Sequence, residues 1–284
     1  MSAFIAFVIM FALTSCEKAN LVSEEMQGDP AGNLSVSVFQ IEHTAFASLT
    51  RAVVGDVCTK LSFAVYDEEG SRVKQVNQTS DKTGFGQCSF QLEEGNYQLV
   101  VVAHSAKGNP TMTNPGKIQF TNSTGYTDTF IHNEEVTIGE EAVALQISLN
   151  RIVALCRFVI TDNIPEEVKK IQFYYTGGSG AFNAATGLGS VNSKQTVAFD
   201  VSLGQTQFDL YTFLHNQEDN VALKVTALDA NGNVLFERDF DVPMEQNHIT
   251  WLSGAFFNGS GSSVTTVTGV TVNTDWAGET HLTF

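Results

Sequence analysis

The stretch VALKVTALDANGNVLFERDFDV, residues 221–242, decides the fold class. Apolar and polar residues alternate towards both of its ends, and Asn231-Gly232 lies between the two runs, which is the strongest short-range signal of a β-hairpin. The side chains of the second run divide into a mainly apolar and a mainly acidic face: Val234, Phe236, Phe240 and Val242 against Leu235, Glu237, Asp239 and Asp241. One apolar and one wet face is typical of an antiparallel sheet.

Alternation with a period of two continues over most of the chain, whereas sustained helical periodicity is hard to find. Further strands are predicted within residues 60–68, 89–105, 143–149, 152–161, 169–176, 208–215 and 263–276. Many short strands separated by Gly and Asn turns indicate β-sandwiches rather than βαβ units. We therefore expect an all-β protein with two tandem antiparallel β-sandwich domains, residues 34–150 and 151–284, joined near Asn150-Arg151 with little linker.

The N-terminal segment is typical of a secretion signal. Ten apolar residues, Phe4 to Leu13, are too few to span a bilayer but suit the core of a signal peptide, although no Lys or Arg precedes them. Leu13-Thr14-Ser15-Cys16 then resembles a bacterial lipobox, with ordinary signal cleavage as the alternative. We expect a signal peptide at 1–15, a lipidated Cys16 that holds the protein on a membrane, and a flexible tether over 16–33.

The excess of acidic residues restricts the partners that the chain could bind. The chain has 31 acidic and 15 basic residues, so neither nucleic acid nor an anionic lipid surface is an expected partner.

Cys88 and Cys156 alternate in phase with apolar residues and are predicted to be small buried side chains. A Cys58–Cys88 bridge in an oxidising compartment stays open as an alternative.

No catalytic or metal-binding pattern emerges from the chain. The histidines occur singly, which favours surface or strand-end positions over a zinc site: His43, His104, His132, His215, His248 and His281. The spacing of Asp229, Asn231 and Asn233 resembles the start of a calcium loop, but Phe240 stands where the later Glu ligand belongs. Paired acidic residues are expected on solvated surface. We expect no enzyme activity, no metal and no cofactor.

A glycine-rich stretch, TGGSGAFNAATGLGS at residues 176–190, is the remaining candidate for chemistry. It contains neither a P-loop nor a dinucleotide-binding motif, and no helix is predicted after it. Ser179 does not fit the GxSxG pattern of a serine nucleophile. We interpret the stretch as a surface loop.

Several stretches, taken in order, resemble the fimbrillins of Bacteroidetes, in particular the minor subunits related to the short-fimbria anchor. They are the lipobox at Cys16, LTRAVVGDVCTKLSFAVYDEEG (49–70), LEEGNYQLVVVAHS (92–105), LNRIVALCRFVITDNIPEEVKKIQFYYTGGSGAFNAATGLG (149–189) and VTVNTDW (270–276). The resemblance covers nearly the whole chain. It implies two transthyretin-like domains, secretion as a lipoprotein, and assembly into, or anchoring of, surface fimbriae.

The same resemblance gives Arg51 a role. Polymerising fimbrillins are cut after an arginine by an Arg-specific protease, and the Arg51-Ala52 bond matches that position; a plain surface arginine is the alternative. The strand removed by such a cut would be NLSVSVFQI (33–41), with Leu34, Val36 and Val38 on one face. A sandwich that loses a strand exposes a groove that another chain can fill. The donor candidate is SSVTTVTGVTVNTDW (262–276), against the alternative of an ordinary last strand.

The expected function is therefore that of a lipid-anchored fimbrial subunit at the cell outer membrane, with a structural or adhesive role and assembly by strand complementation. Expected partners are other fimbrial subunits, the membrane through the lipid, and host or bacterial surface receptors. The rival is a glycan-binding outer-surface lipoprotein, which would need an exposed aromatic platform. Trp251 and Trp276 lie near strand ends, so the platform would have to come from tyrosines such as Tyr174 and Tyr175. Alternation places the two tyrosines on opposite faces, which weakens the rival.

Overall fold

The structure is a computed structural model that describes residues 27–45, 48–52, 54–121, 125–201, 204–258, 265–266 and 276–284. Within these ranges it is almost entirely β, as the alternation predicts, and none of its helices has the length and apolar content to cross a membrane. The all-β fold class is confirmed. The transthyretin-like layout and the boundary at 150/151 stay predictions.

In its described residues, the first part of the chain forms ten strands and one short helix. These are β1 (Gln27–Gly28), β2 (Leu34–Ala45), β3 (Ser48–Ala52), α1 (Val54–Val57), β4 (Lys60–Tyr66), β5 (Arg72–Thr79), β6 (Gln87–Phe90), β7 (Gly95–His104), β8 (Ile118–Gln119), β9 (Thr129–Ile138) and β10 (Val143–Arg151).

The second part forms eleven strands in its described residues. These are β11 (Ala154–Ile160), β12 (Lys170–Thr176), β13 (Gly178–Ser179), β14 (Ala181–Phe182), β15 (Gln195–Asp200), β16 (Gln207–Leu214), β17 (Glu218–Leu228), β18 (Val234–Glu245), β19 (His248–Gly254), β20 (Thr265–Thr266) and β21 (Gly278–Thr283).

All the strands of the first part except β8 belong to one sheet that folds over on itself. Its strands follow the order β1-β6-β2-β10-β9-β7-β4-β5, with β3 paired to β2. Only two residue pairs, at Asn150 and Arg151, join β10 to β9. Inward side chains from β2, β6 and β10 share one core with those from β4, β7 and β9. We call the β6, β2 and β10 side layer 1 and the β9, β7, β4 and β5 side layer 2.

The second part adds two further sheets. Layer 3 has the order β13-β16-β11-β19-β21-β20, and layer 4 has the order β15-β12-β17-β18. The hairpin predicted within residues 221–242 is present as β17 and β18, and its apolar face carries the buried Phe240 and Val242. In its turn, the Asp229 carboxylate accepts hydrogen bonds from the N–H groups of Asn231 and Asn233, both at 2.8 Å.

Three hydrophobic cores separate the four layers. One lies between layers 1 and 2, one between layers 3 and 4, and the third between layers 2 and 3. Strands β4, β7, β11 and β16 are therefore apolar on both faces; in β4, Phe63 faces one core and Ala64 the next. The third core makes the two parts of the chain pack directly on each other.

The glycine-rich stretch is not a surface loop, and that interpretation is wrong. Residues 178–182 are buried, and Phe182 belongs to the core between layers 2 and 3. Strand β13 pairs with β16, while β14 pairs with β8 of the first part. Glycine permits this close packing: a Cβ on Gly180 would lie 2.2 Å from the Tyr126 hydroxyl oxygen. The glycines suggested a loop in the sequence, but in the structure they allow the backbone to pack closely against neighbouring side chains.

Candidate functional site

Strand β2 is the feature that the sequence singled out as removable, and it lies in the middle of layer 1. It runs parallel to β10 over eight residue pairs and antiparallel to β6 over four. Leu34, Val36 and Ile41 are fully buried in the core beneath it. Burying three such side chains contributes about 5–9 kcal/mol. We call the space between β6 and β10 that this strand fills the β2 slot.

The residues just before β2 fasten it to its neighbours. The Asn33 side chain donates to the Leu92 carbonyl at 2.9 Å and accepts from the Leu92 N–H at 3.0 Å. The Asp29 carboxylate accepts from the Gln91 N–H at 2.9 Å and from Lys74 at 3.0 Å. These two bonds hold the pKa of the Asp29 carboxyl below its ordinary value. Asp29 and Asn33 lie within the predicted tether, and the sequence did not predict that they fasten β2.

Two glycines let the same segment lie against β6. A Cβ on Gly28 would lie 2.1 Å from the Ser89 carbonyl oxygen, and one on Gly32 would lie 2.6–2.8 Å from three backbone atoms of Phe90. Gly28 also has a φ of 111°, which L side chains rarely adopt. Residues 27–33 are therefore docked on layer 1, which differs from the flexible tether predicted over 16–33.

The predicted processing bond lies in the hairpin partner of β2. Arg51 stands opposite Glu42 and Ala52 opposite Ile41 in the β2–β3 register. A cut between Arg51 and Ala52 would leave β1, β2 and nearly all of β3 on one piece, joined to the rest only by non-covalent contacts. Cleavage at Arg51 stays a prediction, and the lipidation candidate Cys16 lies outside the described residues.

The donor candidate at 262–276 also lies mostly outside the described residues. Of it the structure describes β20 and Trp276. Trp276 is 6% exposed and packs in the core between layers 2 and 3, with the Arg151 guanidinium 3.9 Å from the ring centroid. Strand β21 follows at once and runs parallel to β19 over six residue pairs. The chain after the candidate is thus built into layer 3.

The tyrosines predicted for a glycan platform, and the two tryptophans of the chain, are buried or half-buried. Trp251 stacks on His281, with ring centroids 5.5 Å apart, and Arg157 lies 4.8 Å from its ring. Tyr175 is buried, and its hydroxyl donates to the Tyr211 carbonyl at 3.0 Å. Trp276 is covered too, while Tyr174 and Trp251 are half-buried and belong to different layers, so these four side chains do not form a shared platform for the rival function.

The cysteines behave as packing residues. Cys58, Cys88 and Cys156 are buried free thiols, so no Cys58–Cys88 bridge is present. Burial raises the pKa of Cys88 to about 12 and that of Cys156 to about 12, which keeps both protonated at neutral pH. Among the described residues, no three His, Cys, Asp or Glu side chains are grouped so that they could hold a metal ion.

The fold defines an all-β protein of four packed layers, in which strand β2 is inserted between β6 and β10 of layer 1. The model of a family of unknown function, DUF6562, matches residues 29–283, and the chain belongs to this family. No curated protein matches the chain.

Several solved structures are similar in fold at low identity, including three from Bacteroides, Parabacteroides and Porphyromonas. A candidate adhesin from Bacteroides ovatus has a TM-score of 0.46 at 16% identity, covering 72% of this chain and 82% of that one. A fimbrial assembly protein from Parabacteroides distasonis has a TM-score of 0.40 at 14% identity, covering 78% and 89%. The fimbrial anchor protein Mfa2 from Porphyromonas gingivalis has a TM-score of 0.42 at 11% identity, covering 72% and 81%.

Proposed function

We propose that the protein is a structural subunit of a cell-surface fimbrium. Uncut, it is held at the outer membrane by a lipid on Cys16 as an anchor; cut after Arg51, it loses that lipid with β2, and a strand of a neighbouring subunit takes the place of β2. The role is structural and adhesive rather than enzymatic. Its partners are other fimbrial subunits, and receptors on host or bacterial surfaces are the targets of the assembled fimbria.

The position of β2 carries the proposal. This strand fills a gap between two strands of the same layer and covers a core with three fully buried side chains. Even so, cleavage of one peptide bond in β3, Arg51-Ala52, would break its covalent link to the residues that follow. Its loss would leave backbone groups of β6 and β10 unpaired over an apolar groove. Such a groove binds an extended segment of another chain through main-chain hydrogen bonds and pockets for alternate side chains.

N-terminal sequencing of the surface-exposed protein tests the proposal, using Arg51→Lys to block an Arg-specific protease and Arg72→Lys, at an exposed arginine of β5, as the matched control. A chain that begins at a lipidated Cys16 has the role of an anchor. A chain that begins at Ala52 in the wild type and in Arg72→Lys, but not in Arg51→Lys, takes part in strand exchange. A surface protein with neither N-terminus, absent from purified filaments, would overturn the proposal.

A further inference from the structure

Asn33 stands at the end of the β2–β6 ladder and contacts both sides of the β2 slot. The last residue pair of that ladder joins Leu34 to Phe90, where β6 ends. Asn33 lies one residue beyond this pair. Its backbone carbonyl accepts a hydrogen bond from the Val143 N–H of β10 at 2.8 Å, and its side chain bonds to Leu92, two residues past the end of β6. This one residue therefore bridges the slot where the ladder stops.

The contact with Leu92 uses a donor and an acceptor at once. The Asn33 Nδ2 donates to the Leu92 carbonyl at 2.9 Å, and Oδ1 accepts from the Leu92 N–H at 3.0 Å. A side-chain amide offers the same donor and acceptor as a peptide group, so it continues the pairing where the backbone ladder has ended. An ionised aspartate of the same shape can only accept, and alanine can do neither. The chemistry of this position therefore matches asparagine.

The contact of Asn33 with Leu92 weighs more than the neighbouring contact of Asp29 with Lys74. Leu92 is 8% exposed, and both of its hydrogen bonds to Asn33 are partly buried. The Asp29 and Lys74 side chains are 42% and 40% exposed, so water can replace that ion pair at little cost. A partly buried N–H and C=O that lose their partners cost more. Selection at this end of the slot therefore depends on the residue in the place of Asn33.

We infer that the β2 slot selects, among segments that enter in the direction of β2, one that carries an asparagine directly before its first inward apolar residue. This inference rests on the proposed function and specifies its partner: an extended segment of a neighbouring subunit with asparagine in the place of Asn33 and apolar residues in the places of Leu34 and Val36. The apolar residues fill the core, which many alternating segments can do. The asparagine pairs with the Leu92 N–H and C=O, and this separates the partner from those other segments.

Peptide exchange into the full chain, nicked after Arg51 by an Arg-specific protease and verified by mass spectrometry, tests this inference. Four fluorescent peptides of residues 29–45 are compared in equal excess: the unchanged sequence, Asn33→Ala, Asn33→Asp and Ser35→Ala. Asn33→Asp keeps the shape of the side chain and removes its donor. Ser35→Ala is the matched control, because it also removes a small polar group but at a residue that alternation places on the face away from the core. Incorporation is read from the labelled complex on a native gel and from its mass.

The unchanged and Ser35→Ala peptides are expected to enter the slot within about threefold of each other, and both Asn33 variants about tenfold less or lower. Equal entry of all four would leave strand exchange standing and overturn the selection for asparagine. Entry of Asn33→Asp as good as that of the unchanged peptide would show that an acceptor suffices, and would also overturn it. So would a loss with Ser35→Ala as large as with the Asn33 variants. If no peptide enters, strand exchange itself fails and the inference falls with it.

Discussion

At the scale of single residues, His104 is a fully buried base at the end of β7. Its Nδ1 accepts a hydrogen bond from the Ala106 N–H at 3.2 Å, and its ring meets Phe120 edge to face with centroids 5.0 Å apart. Burial, together with the nearby charge of Lys60, lowers the pKa of His104 to about 4. The folded protein therefore holds this side chain neutral over a pH range in which the unfolded chain protonates it.

The pKa of His104 predicts a loss of stability in mild acid. Because the folded pKa lies below the unfolded value, the stability is complete above about pH 6.5 and falls as the pH drops towards about 4, by about 3 kcal/mol in all. His104→Asn keeps an acceptor for the Ala106 N–H and removes the titration. Urea unfolding at pH 7 and pH 4.5 should show a smaller difference for this variant than for wild type or for the control His132→Asn. An unchanged difference would contradict the assignment.

Gly32 provides a second test at this scale. A Cβ on Gly32 would lie 2.6–2.8 Å from backbone atoms of Phe90, so Gly32→Ala should push the segment before β2 away from β6. We expect a loss of about 1–3 kcal/mol in the free energy of unfolding, typical of overpacking. Gly108→Ala is the matched control, because a Cβ there meets no atom within 4 Å. Equal urea midpoints for the two variants would show that the segment is not closely docked.

At the scale of elements, one buried amide joins the two layers of the first part. Gln78 of β5 is 1% exposed; its nitrogen donates to the Gln87 carbonyl at 2.7 Å and its oxygen accepts from the Gly86 N–H at 2.9 Å. Gln78→Ala breaks both bonds in a buried site and should cost about 2–3 kcal/mol. Gln75→Ala, a less buried position on the same strand, should stay within about 0.5 kcal/mol of wild type. Thermal unfolding separates the two outcomes.

Alternation predicted the hairpin β17–β18 because one of its faces is wet, and the same signal located β4, β7 and β11. It did not predict that β4 and β11 are covered on both faces. A strand with two covered faces differs from one with a single covered face only in whether every second residue is apolar or polar. β4 contains the polar Ser62 and β11 the charged Arg157, so both sequences fit either arrangement. The parallel pairing of β2 with β10 depends on contacts more than 100 residues apart along the chain, which local patterns do not encode.

The candidate site was predictable only in part, because local patterns do not encode contacts between distant parts of the chain. The alternation of Leu34, Val36 and Val38 predicts that β2 is a strand, but a period of two then assigns Ile41 to the face away from the core. The alternation contains no signal for Phe39, an extra residue of β2 that has no residue opposite it in β10. The fastening by Asp29 and Asn33 also escaped prediction. Both residue types are common in turns, and their bonds to Gln91 and Leu92 form only when β6 lies beside them.

At the scale of the whole molecule, one ionic cluster ties the two parts of the chain together. The Arg151 side chain, 2% exposed, donates to the Asp128 carboxylate at 2.7 and 2.8 Å and to the Asn247 side-chain oxygen at 3.2 Å. Its guanidinium also lies over Phe130 of β9 and over Trp276 before β21. Arg151 thus contacts layer 2, the start of β19 and the segment that leads into the last strand.

Arg151→Met should therefore destabilise the molecule by about 2–4 kcal/mol, because it removes the two hydrogen bonds to the part-buried Asp128 carboxylate and the contacts of a buried guanidinium with Phe130 and Trp276. Adding Asp128→Leu removes that charge and should restore a large part of the loss. Arg157→Met is the matched control. Arg157 pairs with Asp209 at 2.7 Å within layer 3, but its side chain is 18% exposed against 2% for Arg151, so the loss should stay below about 2 kcal/mol. Urea unfolding of the four proteins gives the comparison. If Arg151→Met costs no more than Arg157→Met, or if Asp128→Leu restores nothing, the cluster does not hold the two parts together and packing between layers 2 and 3 alone must do so.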